Sequence, residues 1–135
     1  MGRALGDFLR ALRRSHGVGQ GPPAQAIGID RSGFSRIEAG KAHLDVWKLT
    51  QVLAAIVPEG AQAVLGHDDA RRALLRAMAS DENDGVRILG MALQVRGADA
   101  GKLTRFWFRA VRLQEKSADS PGVVGYATSE GAETP

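Results

Sequence analysis

The stretch GVGQGPP at residues 17–23 places three glycines in five residues. In a nucleotide-binding enzyme such a loop wraps a pyrophosphate with backbone N–H groups at the start of a helix. That chemistry needs a strand before the loop and a third glycine that closes the G-x-G-x-x-G spacing. Here the preceding segment is LGDFLRALRRSH, and Pro22 stands where the third glycine belongs. The stretch reads instead as a connector between helices. His16, His43 and His67 lie far apart, with no H-x-x-x-H pair to hold a metal. Asp81, Glu82 and Asp84 offer oxygen ligands but lack the later glutamate of a calcium loop, and a helix N-terminus, where negative charge is favoured, accounts for them better. His16 and Asp45 could be combined with a serine on paper, yet no serine is bracketed as in a strained nucleophile turn. The sequence therefore carries no catalytic constellation, metal site or cofactor site, and it reads as a non-enzyme with no small-molecule ligand implied.

One further segment could do chemistry. KLTRFWFRAVRL at 102–113 interleaves basic residues with Phe106, Trp107 and Phe108. A membrane-surface helix and a stacking platform for single-stranded nucleic acid are both available readings. The reading preferred here is burial, in the core or at a dimer interface, because aromatics at helical spacing belong inside.

The chain has 135 residues, a net charge of +3 and no cysteine. That excludes a disulfide framework and a thiolate metal site, and no apolar run approaches the roughly 20 residues that span a bilayer. A cytoplasmic protein without a membrane partner is expected. Residues 1–66 carry eight Lys/Arg against five Asp/Glu, residues 67–116 carry ten against seven, and residues 117–135 carry three acids alone. The folded part is thus more basic than the whole, which favours nucleic acid or another anionic surface as partner.

Hydrophobic spacing sets the elements. Leu5, Phe8, Leu9 and Leu12 predict a helix over 3–15 that Gly17 ends. A short helix over 22–27 follows, with prolines tolerated in its first turn. Gly28 breaks it, and Asp30 caps a helix over 31–39 that buries Phe34 and Ile37 and stops at Gly40. Asp45 caps the next helix, with Leu49, Val52, Leu53 and Ile56 on its apolar face. A fifth short helix is expected from Pro58 to near Gly66. Residues 68–79, 84–96 and 99–115 give three more helices, the second apolar on nearly every side, as a buried helix should be. From Ser117 the periodicity ends, and a disordered tail is expected over 117–135.

A helix, a glycine-bearing turn and a second helix near the start of a basic chain make the helix-turn-helix arrangement. The run LGDFLRALRRSHGVGQ, continuing through AQAIGIDRSGFSRIEAGKAHLDVWKLTQVLAAI, resembles the Cro/repressor-type (XRE) helix-turn-helix family over residues 4–57. The shared features are Leu5-Gly6, Arg13, Gly17, Gln20, Ala24, Gly28, Phe34, Arg36-Ile37-Glu38 and Gly40-Lys41. The resemblance implies an all-α protein with a five-helix, lambda-repressor-like domain over 1–66. Residues 67–116 would then form a helical dimerisation or effector region. It implies a sequence-specific regulator of transcription on double-stranded DNA, with the helix at 31–39 in the major groove. Base readout would fall to Arg31, Ser32 and Arg36, since arginine can bond guanine in bidentate fashion. Phosphate contacts would come from Gln20, Ser35, Ala39, Gly40 and Lys41. A structural ion pair would join Arg13 to Glu38, and a homodimer would form through 67–116.

Pro23 stands where the family has leucine, Pro22 replaces a polar helix former, and Gly33 costs up to about 1 kcal/mol against alanine in a helix. These departures keep a second reading open: an antitoxin-like or regulatory protein-interaction module on the same fold with weakened DNA binding.

Overall fold

The structure, a computed structural model, describes residues 3–119. All regular structure among the described residues is helical. The order is α1 (Arg3–Ser15), α2 (Gly21–Ala26), α3 (Arg31–Glu38), α4 (Val46–Ile56), α5 (Ala61–Leu65), α6 (Asp68–Ala79), α7 (Asp84–Gln94) and α8 (Ala100–Asp119).

The first three helices end in the same way. After α1, the N–H of Val18 bonds the carbonyl of Arg13 and that of Gly17 bonds Arg14. After α2, Ile29 bonds Ala24 and Gly28 bonds Gln25; after α3, Lys41 bonds Arg36 and Gly40 bonds Ile37. Each is a Schellman cap whose glycine takes positive φ, at 67°, 73° and 77° for Gly17, Gly28 and Gly40. A Cβ at Gly28 would meet nothing within 4 Å. This glycine is therefore required by its backbone angle, and not by the close helix approach that a tight turn suggests. Close approach instead belongs to Gly6, where a Cβ would lie 2.5 Å from the Glu38 carbonyl oxygen. Gly6 lets α1 lie directly on the C-terminal end of α3.

Several boundaries differ from expectation by a residue or more, among them α3 and α7, which end at Glu38 and Gln94 rather than at 39 and 96. Helix α2 begins at Gly21, one residue early, with Gln20 at its N-cap position. Helix α5 begins at Ala61 rather than at Pro58, because Glu59 and Gly60 both take positive φ before it. The last helix continues through residues 117–119, and the rest of the expected tail lies outside the described residues.

One hydrophobic cluster includes residues from Leu5 to Val111. It crosses the boundary at 66/67 without a break, since α6 packs on α1 and α8 packs on α4 and α5. Leu103, Trp107 and Val111 form the buried face of α8. Trp107 is wholly buried, and its indole N–H donates to the Thr50 hydroxyl of α4 at 2.9 Å. That hydroxyl in turn donates to the Val46 carbonyl at 2.8 Å. Trp107, expected to be buried, thus reaches α4, the helix that follows α3. Helix α7 is not the all-round buried helix its composition suggests. Val86, Leu89, Gly90 and Leu93 face inward, while Ile88, Met91 and Val95 are 61%, 53% and 84% exposed.

The Thr50–Trp107 link makes α8 part of the same cooperative unit as α1–α4. Thr50→Val keeps the shape and leaves the buried indole N–H without an acceptor, which costs about 1–3 kcal/mol. Trp107→Ala empties a core site and costs about 3–5 kcal/mol. Thermal unfolding should show one transition moved down in both variants. A separate, unmoved transition for the N-terminal helices would contradict this coupling.

Candidate nucleic-acid interface

Helix α3 is eight residues long and divides cleanly by face. Phe34, Ile37 and Glu38 are buried, and Arg31, Ser32, Ser35 and Arg36 are exposed. Its start is fixed by Asp30, whose carboxylate accepts the Gly33 N–H at 2.7 Å and the Ser32 hydroxyl at 3.1 Å. These bonds, the Gly33 one foremost, hold the Asp30 carboxyl below its ordinary range, so the front of α3 carries a fixed negative charge. A Cβ at position 33 would stand 3.1 Å from the capping carboxylate. Gly33, a departure from the family pattern, fits this tight cap. Ser32 spends its donor on Asp30 and keeps its lone pairs for an external donor.

The end of α3 is fixed by Glu38, which has no solvent exposure at all. Arg13 donates to it twice, from Nε to Oε2 at 2.8 Å and from Nη2 to Oε1 at 3.1 Å. Arg13 also donates from Nη1 to the Val18 carbonyl at 3.0 Å. The Gln20 amide donates to Glu38 Oε1 at 3.0 Å, and Arg10 stands 3.5 Å from the same oxygen. Burial pushes the Glu38 carboxyl up, but the bonds from Arg13 and Gln20 and the charges of Arg13 and Arg10 outweigh it and leave it below its ordinary range. The Arg13 guanidinium is held above its ordinary value, chiefly by the bond to Glu38. Arg13, Gln20 and Glu38 are thereby brought together, although the sequence suggested separate roles for Gln20 and the ion pair. The Gln20 amide has a second N–H, so the bond to Glu38 is compatible with a contact to an outside oxygen.

Ala39, Gly40 and Lys41, expected among the phosphate contacts, have their backbone N–H groups engaged within the chain. The N–H groups of Ala39, Gly40 and Lys41 donate to the carbonyls of Ser35, Ile37 and Arg36. The helical ladder takes the first and the Schellman cap the other two, and Lys41 is left to act through its exposed side chain. On this surface Arg31, Arg36 and Lys41 have no carboxylate within ion-pair distance among the described residues.

Several contacts carried no signal in the sequence. His43 Nε2 lies 3.0 Å from Glu82 Oε1, tying the loop after α3 to the turn between α6 and α7. The other acids of that turn are local: Asp81 accepts the Asn83 N–H, and Asp84 pairs with Arg87 at 2.7 Å. Asn83, not an acid, caps α7. No cluster of three metal-ligating side chains exists among the described residues, and no helix there is long and apolar enough to cross a membrane.

A family model described as a helix-turn-helix domain matches residues 4–75, over half of the chain and well beyond the 4–57 of the sequence resemblance. It takes in α1 to α5 and the first two turns of α6. No curated protein and no solved structure matches the chain.

The Glu38 centre gives a signed pH dependence. A carboxyl depressed in the folded state adds stability at neutral pH and loses it as pH falls through its folded value. Glu38→Gln should cost about 3 kcal/mol at neutral pH, because it leaves Arg13 buried without its charge partner. The variant should also lose part of the acid-induced drop in melting temperature expected of the parent chain. Parallel melting curves between neutral and acid pH would contradict the assignment.

Proposed function

Because the chain belongs to the helix-turn-helix domain family, we propose that it is a sequence-specific regulator of transcription of the Cro/repressor type that binds double-stranded DNA in the cytoplasm. Helix α3 enters the major groove, and its Arg31 and Arg36 side chains read base edges, with Ser32 as a secondary contact. Lys41, Gln20 and Ser35 contact phosphates and fix register. One observation carries this reading: a short helix, locked at both ends by Asp30 and Glu38, presents outward two serines and two arginines with no ion-pair partner among the described residues.

A homodimer fits the reading, since two recognition helices on a two-fold axis match a palindromic site. Ile88, Met91 and Val95 follow helical spacing along the exposed side of α7 and provide an apolar seam for a second copy. Leu113 of α8 is also exposed, at 62%. Met91→Glu should convert the dimer to a monomer in sedimentation velocity without lowering the melting temperature of the fold. A parent chain that sediments as a monomer would refute the seam.

Arg36→Ala should cost about 1–3 kcal/mol on the preferred site and relax preference at one base pair, while Lys41→Ala should weaken all sequences alike and lower the salt slope by about 1. Equal losses on specific and random duplexes for Arg36→Ala would remove it as a base reader.

A further inference from the structure

Helix α8 has a second face that neither the core nor the recognition helix uses. Its inner side is the row Leu103, Trp107 and Val111. On the opposite side Lys102, Arg105, Arg109 and Arg112 are all exposed, spaced three, four and three residues apart. At 3.6 residues per turn these four cations fall in one narrow stripe, about 15 Å long. Among the side chains described, up to Leu113, no carboxylate forms an ion pair with any of them. Asp99, at the start of the helix, is the acid whose charge faces Lys102 and Arg105, and Glu59 shares a surface cleft with Arg105. A solvated helix face ordinarily mixes both signs, as α6 does with its Asp69–Arg72 pair.

We propose that this stripe is a second polyanion-binding surface, and that its occupant is the phosphate backbone of duplex DNA outside the base pairs that α3 reads. The aromatics and apolar residues of α8 decide between polyanions. Trp107 is wholly buried, and Phe106 and Phe108 are partly buried, with the Arg96 guanidinium 4.0 Å over the Phe106 ring. Little ring surface is left for stacking single-stranded bases. The stripe is basic along its length, with Leu113 the exposed large apolar side chain beside it among the described residues, whereas a helix at a membrane surface needs a whole apolar face outward. What it offers is charge at regular intervals, which a duplex answers with about one phosphate per 1.7 Å of axis. Helix α8 is carried on α4, α5 and α7 rather than on α3. The contact is therefore independent of base readout and adds affinity without sequence preference.

The inference rests on the protein meeting duplex DNA, and two variants of the full chain separate it from the reading of α3. In Arg105→Gln/Arg109→Gln/Arg112→Gln, binding to a random-sequence duplex is titrated between roughly 50 and roughly 200 mM salt, where each lost phosphate contact flattens the log–log slope by about 0.9. Loss of all three should flatten it by a little under 3, an affinity change across that range reduced by about 40-fold. The preference for the selected site over random duplex should stay unchanged. In Arg31→Ala/Arg36→Ala that preference should vanish while most of the salt slope stays. A triple variant with the parent's slope and melting temperature overturns the inference and leaves an acidic protein as the partner of the stripe. A parent chain with a steep slope but no sequence preference sinks the α3 reading alone.

Discussion

The structure turns on one buried carboxylate. Glu38 sits at the last turn of α3 with no access to solvent; it accepts from Arg13 and Gln20 and has the Arg10 guanidinium 3.5 Å away. Those partners belong to α1 and to the N-cap of α2, so a single side chain fixes three helices relative to each other. Isolated, such a charge would be strongly unfavourable; it persists because every oxygen is engaged and two guanidiniums balance it. Gly6 completes the joint, since its missing side chain lets α1 rest on the backbone of Glu38. The outward angle of Arg31 and Arg36 follows from this joint, and so does any reading of DNA by them.

A second joint ties the remainder to the first. The Trp107–Thr50–Val46 chain of hydrogen bonds anchors α8 to α4, and α4 packs on α2. The late helices are therefore more than an appendage. They supply part of the core, and they carry the exposed apolar row of α7 and the basic stripe of α8 outward from it. The His43–Glu82 contact adds a third link, from the loop that bears Lys41 to the turn before α7.

Much of this was legible in the sequence because it is local. The bounds of α1 and α6, the Asp30 and Asp45 caps and the glycines at 17 and 40 are each written within a few residues of where they act. Glu38 and Arg13 were legible through family resemblance, since a charge at that spacing has no local reason to be buried. Long-range partners were not. Nothing near Trp107 names Thr50, 57 residues away, and nothing in Gln20 distinguishes a phosphate ligand from a donor to Glu38. Composition also misled at α7, where an apolar segment suggested burial on all sides and the fold leaves one side open. Ala39, Gly40 and Lys41 read as phosphate contacts, but helical and cap bonds within the chain occupy their backbone N–H groups.

The central claim is that the locked face of α3 reads duplex DNA. The direct measurement is selection of bound duplexes from a random pool by the full chain, with the enriched sequence then titrated against a scrambled control. The account predicts enrichment of a palindrome whose half-sites lie about one helical turn apart, bound much more tightly than the control. Recovery of no enriched sequence, even at low salt where phosphate contacts are strongest, would contradict it and turn the fold toward a protein partner.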